Sequence, residues 1–285
     1  MKKEKERLEL TVTEKTEMES VNISAPEKKD PPKYKQSANV LFNFMKQLEY
    51  LKMNLKNKAF LPRYYEENVS SYGIGIDKLA FPMTCFCDIH LQRIDPHVNF
   101  YGAFGIGLEK KWGIAAGIQP IQYANVNALL VKSFSELFTK SIEQLDQNRP
   151  EIEIYQNYIL THLLYLKPLN GDMLRYEKYE SRNFHDEKEW RFVPSIGPED
   201  DLDLLVPQSL LSTNVYNVYS SGITQRKDLW LSYEYKDIRY LIVKTNNDRI
   251  DLIQFINEEL DDIEPIEKTL LISKIIVWEE MKEDL

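Results

Sequence analysis

The sequence predicts an α+β fold, in which a mixed or antiparallel sheet carries a helical insertion. Strand patterns cluster at 80–124 and 187–278, and helical patterns occupy about 125–166 between these two regions. Strands and helices therefore do not alternate as they do in a doubly wound α/β fold. The glycines at 102–107 also lack the order of a dinucleotide-binding fingerprint, which argues against a Rossmann fold.

Hydrophobic periodicity places the individual elements. Alternating or short continuous apolar runs predict strands at 38–42, 80–89, 103–108, 120–123, 189–194, 239–244 and 270–278. Apolar residues three and four positions apart predict helices at 46–56, 109–116, 125–147, 152–166 and 247–258. Residues 60–74 are rich in turn-forming and polar types, so we predict a loop there.

The N-terminal segment, residues 1–36, differs in character from the rest of the chain. Lys and Glu alternate, large apolar residues are few, and Pro31 and Pro32 would end any helix. We predict that this segment is a disordered or interaction arm. The remaining residues, 37–285, are then expected to form a single α+β domain that contains the helical insertion.

The composition excludes several classes of protein. The chain has 285 residues, of which 43% are hydrophobic and 28% are charged, as in ordinary globular proteins. Its apolar runs fall far short of the ~20 residues that a membrane-spanning helix needs, so we expect no membrane association. Two cysteines in a chain of this length fit a reducing compartment, so we expect a cytoplasmic protein.

The formal net charge of −9 is unevenly distributed. Residues 251–285 carry eleven acidic and three basic side chains, which gives this region a charge of −8. An acidic balance argues against non-specific binding to nucleic acid, which needs clustered Lys and Arg. The acidic C-terminal region suits either a basic partner or a solvated surface.

Both cysteines lie close to two histidines, in a C-x-C-x2-H-x6-H arrangement. Cys85, Cys87, His90 and His97 could in principle form a tetrahedral metal site, but the spacing is not that of a zinc finger. A cysteine nucleophile with His97 as its base is a second possibility. The simpler interpretation is two buried thiols on a core strand, and we assign no metal ligands.

Three glycines follow Tyr101, at 102, 105 and 107, and the last two lie in the predicted strand at 103–108. Glycine within a strand marks a bulge or a close approach by a ligand or another backbone. The following KKW sequence, at 110–112, suits a planar or phosphorylated ligand, which makes Gly105 a candidate binding residue. The alternative is a bulged strand packed against aromatic side chains.

Acidic and basic residues alternate in the segment FHDEKEWRF at 184–192. In a strand, Glu187, Glu189 and Arg191 would share one face. This face is either solvated, or it holds a carboxylate at the mouth of a site, oriented by Arg191. A carboxylate that stabilises developing positive charge is what glycosidic chemistry on a nucleotide requires.

Arg63 lies in the segment PRYYEE at 62–67, in the predicted loop. A guanidinium group in a loop can clamp a phosphate through two parallel hydrogen bonds. Arg63 is therefore a candidate ligand-binding residue, although an incidental surface arginine would have the same sequence context.

Six segments and His97 together form a distinctive pattern: FPMTCFCDI (81–89), YGAFGIGL (101–108), KWG (111–113), KPLNG (167–171), EKEWRFVP (187–194) and DIRYLIV (237–243). Through them the sequence resembles the AbiGi-type abortive phage-resistance proteins over about residues 38–285. The resemblance implies a bacterial phage-defence role, usually as one member of a two-gene system in which this family is described as the antitoxin. It also implies a protein partner, either a toxic effector or a phage-derived trigger.

A second similarity, to the opening of ADP-ribosyltransferase-like folds, lies in VLFNFM at 40–45 and the helical pattern that follows. Such enzymes bind NAD with a His, a Tyr and a Glu on three separate strands. The counterparts implied here are Asn43, Tyr101 and Glu189. Asn43 replaces the expected His; an amide can donate to a ribose hydroxyl, but it cannot act as a base.

Two functional hypotheses follow. The first is a non-catalytic component of phage defence, a regulator, antitoxin or sensor paired with a toxic effector. The alternative is an ADP-ribosyltransferase-like effector enzyme that uses NAD or another nucleotide; otherwise no cofactor is implied. For this alternative the candidate catalytic residues are Glu189 and Tyr101. The candidate ligand-binding residues are Asn43, Arg63, Gly105 and Arg191.

Overall fold

The structure is a computed structural model that describes residues 36–143, 150–175, 178–197 and 199–284. The predicted N-terminal arm lies outside the described residues except for Gln36, as does the end of the helix predicted at 125–147. Within the described residues, no helix is both long enough and apolar enough to span a lipid bilayer.

The described residues form a mixed α and β structure. The α-helices are α1 (Leu48–Asn57), α2 (Asp95–Tyr101), α3 (Lys110–Ala115), α4 (Leu129–Glu143), α5 (Pro150–Leu164), α6 (Thr213–Gln225), α7 (Asn246–Glu259), α8 (Pro265–Ile272) and α9 (Trp278–Lys282). The strands are β1 (Val40–Met45), β2 (Ala59–Phe60), β3 (Arg63–Asn68), β4 (Lys78–Cys87), β5 (Phe104–Glu109), β6 (Gln119–Pro120), β7 (Gln122–Ala124), β8 (Leu166–Pro168), β9 (Asn170–Arg175), β10 (Lys178–Asn183), β11 (Glu189–Phe192), β12 (Val206–Pro207), β13 (Leu231–Ser232), β14 (Ile238–Val243) and β15 (Ile275–Val277).

The principal sheet has the strand order β15-β14-β5-β1-β4-β11-β6. Its strands pair in antiparallel fashion except for β14 and β15, which are parallel, so the prediction of a mixed sheet is confirmed. The long strand β4 is central: its first half pairs with β3 and β12, and its second half pairs with β11 and contacts β1 at Cys87.

Helices cover both faces of this sheet. Apolar side chains of α1, α7 and α8 pack on one face, against Leu41, Ile106 and Leu241. The other face carries two apolar clusters. The first includes Phe42 and Cys87 and lies beneath α2 and α9, and the second includes side chains of α4 and α5 packed against the first half of β4.

In the region of the predicted helical insertion, about 125–166, the structure has the helix pair α4–α5. It begins after β7 and returns to the sheet region at β8. These two strands pair in parallel, with Gln122 opposite Leu166, so the two ends of the insertion are neighbours. The side chain of Gln156 also donates a hydrogen bond to the Ser141 carbonyl, which ties α5 to the end of α4.

The glycines of β5 face a row of aromatic rings. Phe42 stacks with Phe44 and with Tyr240, at ring-centroid distances of 5.7 and 6.0 Å. Gly107 lies opposite Phe42 and Gly105 opposite Phe44 across the β1–β5 pairing. A Cβ atom at either glycine would lie within 3 Å of the opposite ring, so the missing side chains make room for the aromatic row.

Two predicted elements are wrong. The loop predicted at 60–74 contains β3, whose six residues all pair with β4. Its charged face is exposed, but Tyr64 is buried beneath α6 and its backbone N–H donates to Ser220. The strand predicted at 270–278 begins as α8, because Pro265 starts a helix that continues to Ile272; only Ile275–Val277 is a strand.

Other element boundaries in the structure differ from the predicted ones, and some elements of the structure were not predicted. The strand predicted at 120–123 is two short strands, β6 and β7, on either side of Ile121. Helix α6 and the β9–β10 hairpin have no counterpart in the prediction. Both are built mainly from polar residues, so their sequences lack a clear apolar period.

We predict that Gly107→Ala destabilises the fold by roughly 1–3 kcal/mol, because the added methyl group overpacks a closed core. Its Cβ would meet Phe42 at 2.6 Å and Val40 at 2.9 Å, and both side chains are buried. Urea unfolding measures the effect. Gly197→Ala is the control, since its Cβ meets its nearest atom, on Asp200, at 3.7 Å. Equal effects of the two substitutions would contradict the prediction.

Candidate functional site

A buried cluster of charged side chains lies on the sheet face that carries two apolar clusters. Glu189 and Arg191 alternate along β11, so both side chains point to this face. They lie opposite Cys87 and Cys85 of β4. Cys87 belongs to the apolar cluster beneath α2, and Cys85 packs against the cluster beneath α4 and α5, so the charges lie where the two clusters meet.

Both carboxylate oxygens of Glu189 accept hydrogen bonds from cations. Arg191 Nε donates to one oxygen at 2.6 Å, and Lys167 Nζ donates to the other at 2.7 Å. The Glu189 side chain is only 7% exposed. Its backbone N–H donates to the Tyr123 hydroxyl at 2.8 Å, which also fixes the strand at this point.

Glu187 is the second carboxylate of the cluster. Lys167 Nζ donates to one of its oxygens at 3.1 Å, and the Tyr101 hydroxyl donates to the other at 2.7 Å. Arg182 on β10 lies 3.7 Å from that second oxygen. Lys167 therefore bridges Glu187 and Glu189. Tyr101 is connected to Glu189 through Glu187 and then Lys167.

Arg191 connects the cluster to two further elements. Its Nη1 atom donates to the Leu164 carbonyl at the end of α5, at 2.8 Å. Its Nη2 atom donates to Glu67 on β3 at 3.0 Å. The cluster thus contains three carboxylates and three cations, so its formal charge is balanced. The members are Glu67, Glu187, Glu189, Lys167, Arg182 and Arg191.

This pairing fixes the protonation states at neutral pH. Burial acts to raise the pKa of Glu189, but the charges of Arg191 and Lys167 outweigh it and hold this pKa well below its usual range. Burial acts to lower the pKa of Lys167, but the surrounding carboxylates raise it above its usual value. Burial and the Glu187 charge raise the pKa of Tyr101, so its hydroxyl stays protonated and donates.

The structure brings together three of the six predicted site residues, Tyr101, Glu189 and Arg191. The other three lie in different surroundings. The Asn43 side chain donates to the Cys85 carbonyl at 2.9 Å and so links β1 to β4. Gly105 lies in the aromatic row, and Arg63 is exposed on β3 opposite Met83.

The interpretation of 187–191 as a solvated face is wrong, because Glu187, Glu189 and Arg191 are all buried. Glu187 also lies in a short 3-10 turn that precedes the strand, rather than on the strand itself. Lys188 follows it with a left-handed backbone, at φ 47°. The Glu187 carboxylate therefore approaches Lys167 from this turn, whereas the Glu189 carboxylate approaches it from β11.

Lys167 and Glu67 were not proposed as site residues from the sequence. Lys167 interrupts an otherwise apolar run, LLYLKPL at 163–169. A single charge in such a run is a signal that could have identified it, because a buried lysine needs a carboxylate partner. Glu67 gave no such signal, since it follows Arg63 and Glu66 in a segment that reads as a surface loop.

The thiols of Cys85 and Cys87 are not activated. Both cysteines are free, and burial raises the pKa of each thiol above its usual value. A cysteine nucleophile needs the opposite shift. Burial also lowers the pKa of His97, which keeps this imidazole neutral at pH 7. Within the described residues, no group of three or more His, Cys, Asp or Glu side chains is placed to hold a metal ion.

A second buried ion pair involves Lys110, in the segment that suggested a phosphorylated ligand. Its Nζ atom lies 2.6 Å from Asp88 and donates to the Ser37 hydroxyl at 3.1 Å. The ammonium group also lies 5.6 Å from the centre of the Trp190 ring. Lys110 is 1% exposed, so its ammonium group serves this buried ion pair and is not on a surface that a phosphate could reach.

Comparison with known proteins identifies the family of this chain. The family model "Putative abortive phage resistance protein AbiGi, antitoxin" matches residues 34–244. The chain belongs to the AbiGi family. It is 34% identical over 247 residues to "Abortive phage resistance protein AbiGi" of Lactococcus lactis subsp. cremoris, which covers 79% of this chain and 99% of that protein. No solved structure matches the chain. The whole charged cluster falls within the part that matches the AbiGi family model.

We predict that Glu189→Gln destabilises the protein by roughly 3–5 kcal/mol, because it leaves Lys167 and Arg191 buried without a full counter-charge. The measurement is urea unfolding at pH 7. Glu259→Gln is the control: its pair with Lys56 is more than half exposed, so the expected change is less than ~1 kcal/mol. A change as small for Glu189→Gln as for the control would contradict the tight pairing described above.

We also predict that Glu189 makes the free energy of unfolding depend on pH. Its pKa in the folded protein lies below the ordinary value of 4.5, so its contribution to stability is present above that pH and falls as the pH drops below it. Urea unfolding between about pH 3 and 7 should show a decline below pH 4.5 that is shallower in Glu189→Gln, by at most ~1.4 kcal/mol per pH unit. The Glu259→Gln control should follow the wild type, and parallel curves for all three proteins would contradict the assignment.

Proposed function

We propose that this AbiGi-family protein is the non-catalytic antitoxin of a phage-defence system, and that it acts by binding a toxic protein effector. The observation that carries the proposal is the match to a family described as an abortive phage-resistance antitoxin, over residues 34–244. An antitoxin that acts by binding requires a protein partner rather than a reactive centre. A phage-derived trigger is the second partner that the role implies, because restraint of the effector must end on infection.

The state of Glu189 supports a non-catalytic role. A carboxylate that stabilises positive charge in a transition state must approach the reacting atoms. Both oxygens of Glu189 are already bonded, to Arg191 and to Lys167, and the side chain is closed off from solvent. A substrate that reached Glu189 would have to replace one of these ion pairs, at a cost of several kcal/mol.

The second candidate function is an ADP-ribosyltransferase-like effector that uses NAD or another nucleotide. One observation favours it: Tyr101, one of the three implied NAD-site residues, donates to Glu187 of the charged cluster that contains a second, Glu189. The third, Asn43, is bonded to the backbone of β4. In this function Arg191 and Lys167 would have to release Glu189 when the nucleotide binds.

Expression in a bacterial host separates the two functions. We expect the wild-type chain, expressed alone, to leave growth unchanged. Each gene that flanks its coding sequence is then expressed alone and together with this chain; we expect one of them to arrest growth alone and to be restrained by co-expression. Immunoblots of the soluble fraction show that each protein is present at a comparable level.

Two variants make the outcome decisive. Tyr101→Phe removes only a hydroxyl group. Glu189→Gln removes the charge and replaces one accepting oxygen by an NH2 donor, so its soluble level must be compared with that of the wild type because of the destabilisation predicted above. The antitoxin proposal would be overturned, and the enzyme supported, if the wild type alone arrests growth and neither variant does at an equal soluble level. Restraint of a flanking toxic gene product by the wild type and by Tyr101→Phe would support the antitoxin.

A further inference from the structure

We propose that His97 is a pH-sensitive switch, and that its protonation detaches helix α2 from the buried charged cluster. In neutral solution the helix stays attached, and in mildly acidic solution it opens. The device lies in the contact between α2 and Glu187, the carboxylate at this end of the cluster. The inference concerns the isolated chain and does not depend on the proposed antitoxin role.

The last turn of α2 makes two contacts with charged residues at this end of the cluster. The Tyr101 hydroxyl donates to Glu187 at 2.7 Å. The guanidinium group of Arg182, on β10, lies 4.0 Å from the centre of the Phe100 ring. Val98 adds apolar packing from the same helix. The attachment of α2 therefore depends on the charges around Glu187.

His97 lies one turn before Tyr101 and faces the same part of the cluster. The residue is 5% exposed, and its ring centre lies 5.9 Å from that of Tyr101. Neither ring nitrogen makes a hydrogen bond of good geometry to another described residue, although the Glu187 backbone lies beside the ring. A buried polar group without a partner costs stability, so an apolar ring would suit packing better here. Histidine at this position adds a group that can take up a proton.

The charged groups that face the imidazole ring come from two elements. Glu187 and Asp186 lie in the turn before β11, and Arg182 lies on β10. Both oxygens of Glu187 are already bonded, one to Tyr101 and the other to Lys167. Asp186 is exposed, so water screens its charge. An imidazolium at this position therefore has no carboxylate of its own, and it repels Arg182.

Protonation would add a fourth cation to a cluster whose formal charges are balanced. A buried charge without a full counter-charge is strongly unfavourable. Outward movement of α2 would expose the imidazolium to water and would leave the ion pairs of the cluster in place. Asp95 does not compensate the charge: two residues before His97 on the helix, it points to another side and pairs with Lys282 of α9 at 3.2 Å.

The sign of the pH dependence follows from the burial of His97. Burial lowers the pKa of the imidazole below its ordinary value of 6.5 when α2 is attached, and Arg182 acts in the same direction. In the open form the ring is solvated and regains its ordinary value. The open form therefore binds more protons, so acid favours it, starting as the pH falls towards the ordinary pKa.

The test is amide hydrogen exchange of the full-length chain, read by mass spectrometry and expressed as protection factors. Between about pH 7.5 and 5.5 we expect protection at residues 98–102 to fall by up to ~10-fold, because opening takes up one proton. Protection of β5 in the principal sheet should not change. This pH range lies above the one in which Glu189 titrates, so the two effects are separable.

Two substitutions remove the titrating group. His97→Phe should keep α2 at least as protected as in the wild type at pH 7.5, because no hydrogen bond is lost, and should abolish the pH response. His97→Leu is a second variant with a smaller side chain, and it should behave in the same way. His185→Gln is the matched control: this exposed histidine lies two residues before Glu187, and its loss should leave the response unchanged.

Tyr101→Phe separates attachment from switching. It removes the hydroxyl group that binds Glu187 but keeps His97. Protection of α2 should therefore fall about 10-fold at every pH, since a hydrogen bond to a charged group is lost, while the pH response remains.

Four results would overturn the proposal: constant α2 protection in the wild type, a wild-type response in both His97 variants, a lost response in His185→Gln, or an equal loss of protection in β5. A gain of α2 protection in acid would also overturn it, since the imidazolium would then be pairing with Glu187. No effector is present in these experiments, whereas the growth experiments test the antitoxin role, so each proposal can fail without the other.

Discussion

Arg191 and the carboxylates around it hold together parts of the chain that are distant in sequence. A buried guanidinium group is tolerated only when its donors are satisfied, and Arg191 satisfies them on Glu189, Glu67 and the Leu164 carbonyl. Those partners belong to β11, to β3 and to the end of α5. One side chain therefore links the helical insertion and the β3 edge to the principal sheet, in addition to the β3–β4 pairing and the apolar packing of α4 and α5.

The surrounding apolar packing and the charged cluster contribute to the structure in different ways. The apolar clusters on either side supply most of the stabilising burial, but they are tolerant of small shifts, as hydrophobic contacts generally are. Hydrogen bonds from Lys167 to both Glu187 and Glu189 are directional, and they fail when a strand slips by one residue. The cluster therefore adds directional contacts to a register that the burial of one face of β11 already favours.

Local sequence patterns were sufficient for much of the fold and for part of the site. Strands such as β4, β5 and β14 are continuous apolar runs, and Tyr101, Glu189 and Arg191 stand in segments dense with unusual residues. Strand β3 was missed because one face of it is solvated and charged. The roles of Lys167 and Glu67 depend on contacts across more than twenty residues of sequence, which no local period records. The C-terminal run at 270–278 was ambiguous, since short apolar runs suit a helix or a strand equally.

The parallel pairing of β7 with β8 has an evolutionary consequence. Because Gln122 lies opposite Leu166, the segment between them leaves the sheet and returns to it at adjacent points. The strands on either side keep their positions whatever the length of the excursion, as the spacing of neighbouring strands is fixed at about 4.8 Å. A change in the length of these helices would thus leave the strand topology of the domain intact, provided that the α4 and α5 side chains packed against β4 are kept.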